Sequence, residues 1–442
     1  MKQSRYCFLF GIEDGKGLLF SSANGALAEL DPESYPQVKR FLAGTPPDST
    51  SNGHELWEAL IANEFLVDES CDELGELEQS SIRERTANDT LSLTIAPTLA
   101  CNFGCDYCFE RHSPIRMNEE TEKALLSFAE QHLGKVNHLQ TTWFGGEPTL
   151  CLSQIERLQA KFSELCEKIG ATFEPGMIVT NGYLLDKTMA IRLKAAGITL
   201  AQITLDGPKE IHDTRRPLKN GQGSFDRIIE NVSRIYDILQ IALRINIDRD
   251  NIDAAADMVE ELKDRGLLQH INVHFAQVTA SGATCASIRD RCFSDREFSE
   301  RQAQLYRKLF DRDIYMVEYP QVFSGGHCGA VSENSFVISP TGDIFKCWEE
   351  LSLDAEKSVG NISSKVSTHR QQENGENYLA WDPFCKSECR KCNILPICMG
   401  GCPVQGMRMG DPDKGACSPF KYSLKEMLVL RYLCNARKEV ST

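Results

Sequence analysis

No stretch of this chain approaches the roughly 18 apolar residues of a membrane-spanning helix, so no helical membrane span is expected. Base is short as well: 48 Lys and Arg stand against 63 Asp and Glu, a net charge of −15. That balance argues against nucleic acid or an anionic membrane surface as the main partner. A secretory signal is lacking too. The apolar run Tyr6 to Ile12 is soon broken by Glu13 and Asp14, and no cleavage pattern follows, so the expected location is cytoplasmic. Cysteine, at 18 of 442 residues, is too dilute for a small disulfide scaffold. In a reducing compartment, clustered cysteines are metal ligands sooner than disulfides.

The length implies about two to four domains. Three cysteines, Cys101, Cys105 and Cys108, sit close together, and eight more run from Cys328 to Cys417. The scattered remainder (Cys7, Cys71, Cys151, Cys166, Cys285, Cys292 and Cys434) read as small buried hydrophobes.

Residues 1–80 read as a small first domain. Two short strands, 6–10 and 18–22, flank the turn Asp14-Gly15-Lys16-Gly17. A helix starts with Asp31 as cap and Pro32 in its first turn, and a second covers 54–63. Residues 64–78 are strongly acidic and read as a solvated linker or an exposed helix.

From 91 the pattern changes. Strand patterns at 91–96, 139–144, 177–180, 199–205, 241–247 and 271–276 alternate with helical ones at 119–132, 153–169, 186–196, 224–239 and 254–265. Such alternation implies parallel strands with helical crossovers, either a partial barrel or an open sheet. In both, ligands sit at the carboxyl ends of the strands. Beyond about 320 the helical period fades, and glycines and cysteines take over. That stretch has little apolar inventory, so metal is expected to hold it together.

The loop after the first repeating strand carries Cys101-Asn-Phe-Gly-Cys105-Asp-Tyr-Cys108. Zinc normally takes four ligands as two close pairs. Three thiolates on one loop suit an iron–sulfur cluster better, with one iron free of protein. A zinc fragment is the bland alternative. With Tyr107 before its last cysteine, this motif resembles the radical S-adenosylmethionine (SAM) superfamily. The resemblance implies a partial (β/α)6 barrel over 91–315, an α/β fold, with the three cysteines as catalytic cluster ligands. It also implies SAM contacts. Gly145-Gly146-Glu147 is similar to the segment that meets the cofactor's amino group, where glycines permit close approach and a carboxylate pairs an ammonium. By the same resemblance Tyr107 lies near the adenine, and Thr204 and Asp206 help hold the ribose and carboxylate. Arg215 is assigned to the cofactor carboxylate, with Arg216 as its neighbouring candidate.

The second cysteine region, residues 320–442, resembles the seven-cysteine SPASM extension of radical enzymes that modify peptides and proteins. The resemblance implies two auxiliary clusters, three [4Fe–4S] clusters in all. Cys389, Cys392, Cys398 and Cys417 would hold the outer one, and Cys328, Cys347 and Cys402 the inner one. That inner set is one ligand short, and Cys385 is a candidate to complete it; an open site for a substrate thiolate is the other choice. The N-terminal domain, with Gly25-Ala-Leu-Ala-Glu-Leu-Asp at its strand-to-helix transition, looks like the small α+β, winged-helix-like leader-recognition domain of enzymes that mature ribosomally made peptides. Such domains bind an extended leader along a strand edge.

Together these resemblances imply a peptide maturase. It would use a 5′-deoxyadenosyl radical to install an oxidative cross-link, first choice a cysteine thioether and second a carbon–carbon link. Its partners would be a precursor peptide with its leader and an electron donor such as flavodoxin or ferredoxin. Anaerobic sulfatase maturases share the barrel and cysteines, but their catalytic acid directly follows the second cysteine of the extension. Here that position is Trp348, with Glu349 next, so formylglycine formation ranks low; Asp343 or Glu349 could still act as a base. A zinc-held peptide-binding scaffold is the non-enzymatic alternative.

Overall fold

Along Thr90–Ile95 the residues Leu91, Leu93 and Ile95 are buried and alternate with half-buried polar ones, the period of a strand with one face in a core. This strand belongs to a computed structural model that describes residues 1–48, 51–86, 89–280, 286–323, 328–364 and 366–440. Cys285 lies outside the described residues. Five more parallel strands follow: His138–Trp143, Gly176–Thr180, Ile198–Thr204, Gln240–Ile247 and Asn272–Gln277. Helices Glu119–Leu133, Leu152–Ile169, Lys187–Ala195, Phe225–Ile235 and Ala255–Asp264 separate them. Asn118 caps the first of these helices by accepting from Thr121 N, and Asp186 caps the third by accepting from Met189 N.

The six strands lie side by side in chain order, all parallel. An order without reversal has no switch point of the doubly wound kind and is that of barrel winding. Beyond the first strand the sheet continues into Ser335–Ile338, parallel to Thr90–Ile95, and then into antiparallel Asp343–Phe345 and Gly360–Asn361.

The chain divides into two compact units, and neither is continuous in sequence. One joins Ala87–Ser294 to Cys328–Trp381 and holds the sheet just described. The other joins Met1–Thr86, Asp295–His327 and Asp382–Thr442. This differs from the sequential division 1–80, 91–315 and 320–442, because 328–381 extends the barrel sheet while the rest of the cysteine-rich region belongs with the N-terminus.

In the second unit, Cys7–Gly11, Gly17–Ser21 and Leu27–Leu30 form an antiparallel sheet with the fully buried Gly17–Ser21 in its middle. Leu18 and Phe20 pack on Ile394, Ile397, Leu424 and Leu428, so residues far apart in sequence share one core. Leu19 packs on the other face with Val38 and Phe41. Asp31 accepts from the backbone N of Glu33 and Ser34 at 2.8 and 2.7 Å, and the helix proper is Ser34–Leu42. Residues 64–78 are more than a linker: Leu66–Val67 pairs antiparallel with Lys2–Gln3, and helix Glu73–Thr86 begins there. The helical period does not end at 320 either, since Phe420–Val440 is a 21-residue helix with a kink at Ser423. Of the scattered cysteines, Cys7, Cys151, Cys166 and Cys434 are buried, and Cys71 and Cys292 are half-buried. Among the described residues no helix is long and apolar enough to cross a membrane.

Candidate active site

All six strands bring their carboxyl ends to one cavity of about 210 Å³. The loop after the first strand supplies Cys101, Phe103, Cys105, Tyr107 and Cys108. Strands two and three supply Phe144, Gly145, Gly146, Val179, Thr180 and Asn181, and the fourth Gln202 and Thr204. Arg244, Asn246 and Gln277 come from the last two strands, and Trp348 from the extension.

Backbone bonds pin the cysteine loop. Gly104 N donates to Pro217 O at 2.9 Å, Lys219 N to Asn102 O at 2.9 Å, and Ser113 N to Leu99 O at 3.0 Å. Phe103 N points at Cys101 Sγ, 3.4 Å away. The three thiols share the cavity wall, and none is in a disulfide. Burial raises all three thiol pKa values, Cys101 to about 12 with Glu147 adding to the shift. Thiols this reluctant to ionise alone become ligands when a metal's charge replaces the proton. Among the described residues no group of three His, Cys, Asp or Glu side chains forms a single-ion site. Three soft donors on one wall of a cavity of this size fit an iron–sulfur cluster with room for a small molecule beside it.

The cofactor residues expected from sequence separate into two groups. Tyr107, Gly145, Gly146 and Thr204 line the cavity. Tyr107 Oη accepts from Arg216 Nη1 at 2.5 Å and from Asn246 Nδ2 at 3.1 Å. Glu147, Asp206 and Arg215 are not in the wall, and each is engaged within the protein. The fully buried Glu147 carboxylate accepts from Thr149 N, Thr149 Oγ1, Thr180 Oγ1 and Asn181 N at 2.5–3.0 Å. Four donors fill a carboxylate's acceptor sites, so here it ties the second strand's end to the third. The glycines also serve the chain itself: a Cβ on Gly145 would meet Thr98 O at 2.5 Å, and one on Gly146 would meet Ala100 O at 2.5 Å. Asp206 accepts from Asn246 N, and Arg215 Nη1 holds both oxygens of Asp248 at 2.8 and 3.0 Å. Arg215 is thus paired through Nε and Nη1 with Asp206 and Asp248, both fully buried, while its buried Nη2 has no hydrogen-bond partner.

Of the two adjacent arginines, Arg216 is the one that reaches the wall, which it shares with Arg244. It follows the short helix Lys209–Arg215 at φ −132°, which swings it out of the helical path. His212 steadies this turn. Asp206 N donates to His212 Nδ1 at 3.2 Å, leaving Nε2–H to donate to Ser224 Oγ at 3.0 Å, and Ser224 Oγ donates to Arg216 O at 2.8 Å. The tautomer follows from these partners. Burial, then the two arginines, holds the His212 pKa well below its usual value.

Sequence reasoning missed Glu110, Arg244 and Asn246. Glu110 is 8% exposed and Oε2 has no hydrogen-bond partner; burial, then Glu147, pushes its carboxyl up to about 8. Its place just past Cys108 was the available signal. Arg244 and Asn246 stand two apart on the fifth strand, the period that puts both side chains on one face, and Arg244 Nε donates to Asn246 Oδ1 at 2.7 Å. Trp348 stacks on Phe144 at 5.3 Å and forms an aromatic shelf in the cavity.

The second cysteine region supplies a separate, smaller pocket. Cys389, Cys392, Cys398 and Cys417 all line it, with Lys414, Lys421 and Glu388. Four thiols on one small pocket fit the ligand complement of a cubane cluster. Cys385 is outside its wall: it is exposed, with Sγ 3.4 Å from Asp382 Oδ2. Cys328 and Cys347 belong to the barrel unit and Cys402 to the other.

Residues 95–262 match the Radical SAM superfamily. The chain is 24% identical to a cysteine-type anaerobic sulfatase-maturating enzyme of Clostridium perfringens, over 71% of this chain and 88% of that one. It is 21% identical to the radical SAM cyclopropyl synthase TigE of Paramaledivibacter caminithermalis, over 96% and 95%. Streptococcus suis SuiB, solved bound to its precursor peptide SuiA, has a similar fold at 16% identity and TM-score 0.51, over 95% of this chain and 99% of that one. The three thiols stand at the strand ends of this matched region, beside the cavity, so the chain carries a Radical SAM domain over residues 95–262, a fold that implies SAM and a [4Fe–4S] cluster.

Proposed function

We propose that this enzyme matures a ribosomally made precursor peptide by installing an oxidative cross-link, first choice a thioether from cysteine sulfur to carbon. The observation that carries the reading is the fold likeness to peptide-bound SuiB, which extends over 95% of the chain. An N-terminal antiparallel sheet with edge strands Cys7–Gly11 and Leu27–Leu30 suits the addition of an extended leader as a further strand.

When bound at Cys101, Cys105 and Cys108, the cluster and SAM supply a hydrogen-abstracting 5′-deoxyadenosyl radical. The chain's own residues hold and seal the site. Arg216 offers a guanidinium for the cofactor carboxylate, steadied through Tyr107 and the His212–Ser224 relay. Phe103, Phe144 and Trp348 keep one side of the cavity apolar, which excludes water from reactive intermediates. Trp348 occupies the place where the sulfatase maturases carry an acid, and an indole cannot take a proton there. Cross-linking removes two hydrogens from the peptide, one as an atom and one as a proton plus an electron. An auxiliary cluster at Cys389, Cys392, Cys398 and Cys417 would supply redox capacity for that electron. The inner set is proposed from sequence resemblance alone. The match to TigE, spanning nearly the whole chain, favours a second reading in which the new bond joins two carbons.

The test is anaerobic co-production with candidate precursor peptides encoded near its gene, followed by mass spectrometry. A product lighter by two hydrogens, with a cysteine that no longer reacts with iodoacetamide, is expected. The same mass loss with all cysteines still alkylatable selects the carbon–carbon link. Conversion of a cysteine or serine to an aldehyde refutes both.

A further inference from the structure

The outer thiol pocket has an electrostatic feature that its four cysteines do not require. Lys421 Nζ lies 3.3 Å from Cys417 Sγ, and Ser418 N donates to Cys398 Sγ at 3.4 Å. Ser418 stands two residues before helix Phe420–Val440, and Lys421 lies in that helix's first turn. Although Lys421 itself is exposed, its neighbours are anchored. Phe420 packs on the core formed by Leu18, Phe20 and Ile394. The Arg296 guanidinium covers the Tyr422 ring at 4.6 Å. Ser423 Oγ is bonded to Ser299 Oγ at 2.7 Å. The backbone thus presents the lysine to the sulfur from a fixed place. The pocket's carboxylate, Glu388, faces Lys414 at 3.9 Å, so Lys421 adds positive charge that no pocket carboxylate offsets.

The thiols of the barrel cavity face charges of both signs: the Arg216 guanidinium shares their wall, and Phe103 N lies 3.4 Å from Cys101 Sγ. Glu110 and Glu147 are buried nearby, and the amide Asn181 Nδ2 reaches Cys101 Sγ only at 4.0 Å. Hydrogen bonds to cluster sulfurs and local net charge are two of the levers that set an iron–sulfur potential. A cation on a ligand sulfur stabilises the more negative, reduced cluster.

We infer that Lys421 is a positioning residue that holds the reduction potential of the outer auxiliary cluster above the value its four thiolates alone would give. The inference rests on the reading of Cys389, Cys392, Cys398 and Cys417 as cluster ligands. It makes the outer cluster a better electron acceptor, as suits a site that relieves a substrate radical of an electron.

The experiment uses the full chain with Cys101, Cys105 and Cys108 replaced by alanine, reconstituted anaerobically, so that only auxiliary clusters report. Iron is counted first, and potentials are then read by poised titration with electron paramagnetic resonance. At fixed poise, Lys421→Gln should lower the reduced-to-oxidised ratio by about tenfold, which is 59 mV for a one-electron couple. Lys421→Met should lower it further by removing the donor as well, and Lys421→Arg should restore it. Full iron with an unchanged ratio in both Lys421→Gln and Lys421→Met overturns the role of Lys421 alone. If Cys398→Ser removes no iron, the ligand reading fails and the inference fails with it.

Discussion

Substituting Gly146 by alanine tests how the fold places Cys101. A Cβ at Gly146 would lie 2.5 Å from Ala100 O, 2.7 Å from Ala100 C and 2.7 Å from Leu99 O. Ordinary contact begins at about 3.4 Å, so the closest approach falls short by about 0.9 Å. The atoms it meets are main chain, and no side-chain rotation relieves them. Overpacking in a core costs about 1–3 kcal/mol when side chains can shift; here relief requires moving Ala100, the residue bonded to Cys101. Metal–ligand distances hold to about 0.2 Å, several times less than the shift required. Gly146→Ala is therefore expected to lose about four irons per chain after anaerobic reconstitution, and with them SAM binding measured by equilibrium dialysis. Iron retained at the outer pocket shows that the other unit is folded, and an unchanged far-ultraviolet circular dichroism spectrum shows the same of the barrel unit. Gly134→Ala is the control: its Cβ has no contact nearer than 3.9 Å, at the helical φ of −69°. Full iron and unaltered SAM affinity in Gly146→Ala would refute the argument that the glycine pair sets the cysteine loop by packing beneath it.

Arg215 and Arg216 should part company when each is replaced. Arg215→Met removes the cation paired with the buried Asp206 and leaves Asp248 with Arg291 alone, a loss of about 3–5 kcal/mol read as a lowered unfolding midpoint, whereas Arg216→Gln should chiefly weaken SAM affinity, by about tenfold for one lost charge-assisted bond. Equal loss of stability in the two variants would contradict this division. Cys385→Ser should keep the full iron count while Cys398→Ser loses about four irons per chain, because only Cys398 lines the outer pocket; iron loss in Cys385→Ser would show that it is a ligand after all. His212 predicts a pH dependence. Its folded pKa lies below the unfolded value, so the unfolded chain binds more protons as pH falls through about 6.5, and stability drops by up to about 1.4 kcal/mol per pH unit below that point. His212→Gln should flatten this slope between pH 7 and pH 5.5 in denaturant titrations, at a constant cost in stability; a slope unchanged by the substitution would assign it to other groups.

How far these features could be read from sequence depended on the range of the interaction involved. Strand and helix alternation survives because it is local: Asn118 and Asp186 bond amides three residues on, and periodic burial is a property of each segment. The cysteine spacing is local too, which is why both thiol pockets were visible. Partnering across strand ends is not local. Glu147, Asp206 and Arg215 all stand at motif positions, and sequence chemistry offers each a ligand. Yet parallel strands that stop together leave unpaired amides and carbonyls, and a buried N–H needs an acceptor as much as a ligand does. Asn181 N finds Glu147, and Asn246 N finds Asp206. Arg215, carried by the same turn, neutralises the aspartates. The cavity wall holds Arg216, one residue past Arg215, and Thr180 and Asn181, the next strand's end that Glu147 bonds. A one-residue displacement of this kind turns on the φ of a single helix-terminating residue, which composition and spacing do not encode. The same reasoning explains the interleaved units. Leu18 and Phe20 look like an ordinary hairpin strand, and their packing on Ile394 and Leu428 closes a loop of several hundred residues, a contact that no window of sequence contains. The strand-end motifs are thus part of the scaffold that aims the cofactor site, and variants in them should be judged by stability before affinity.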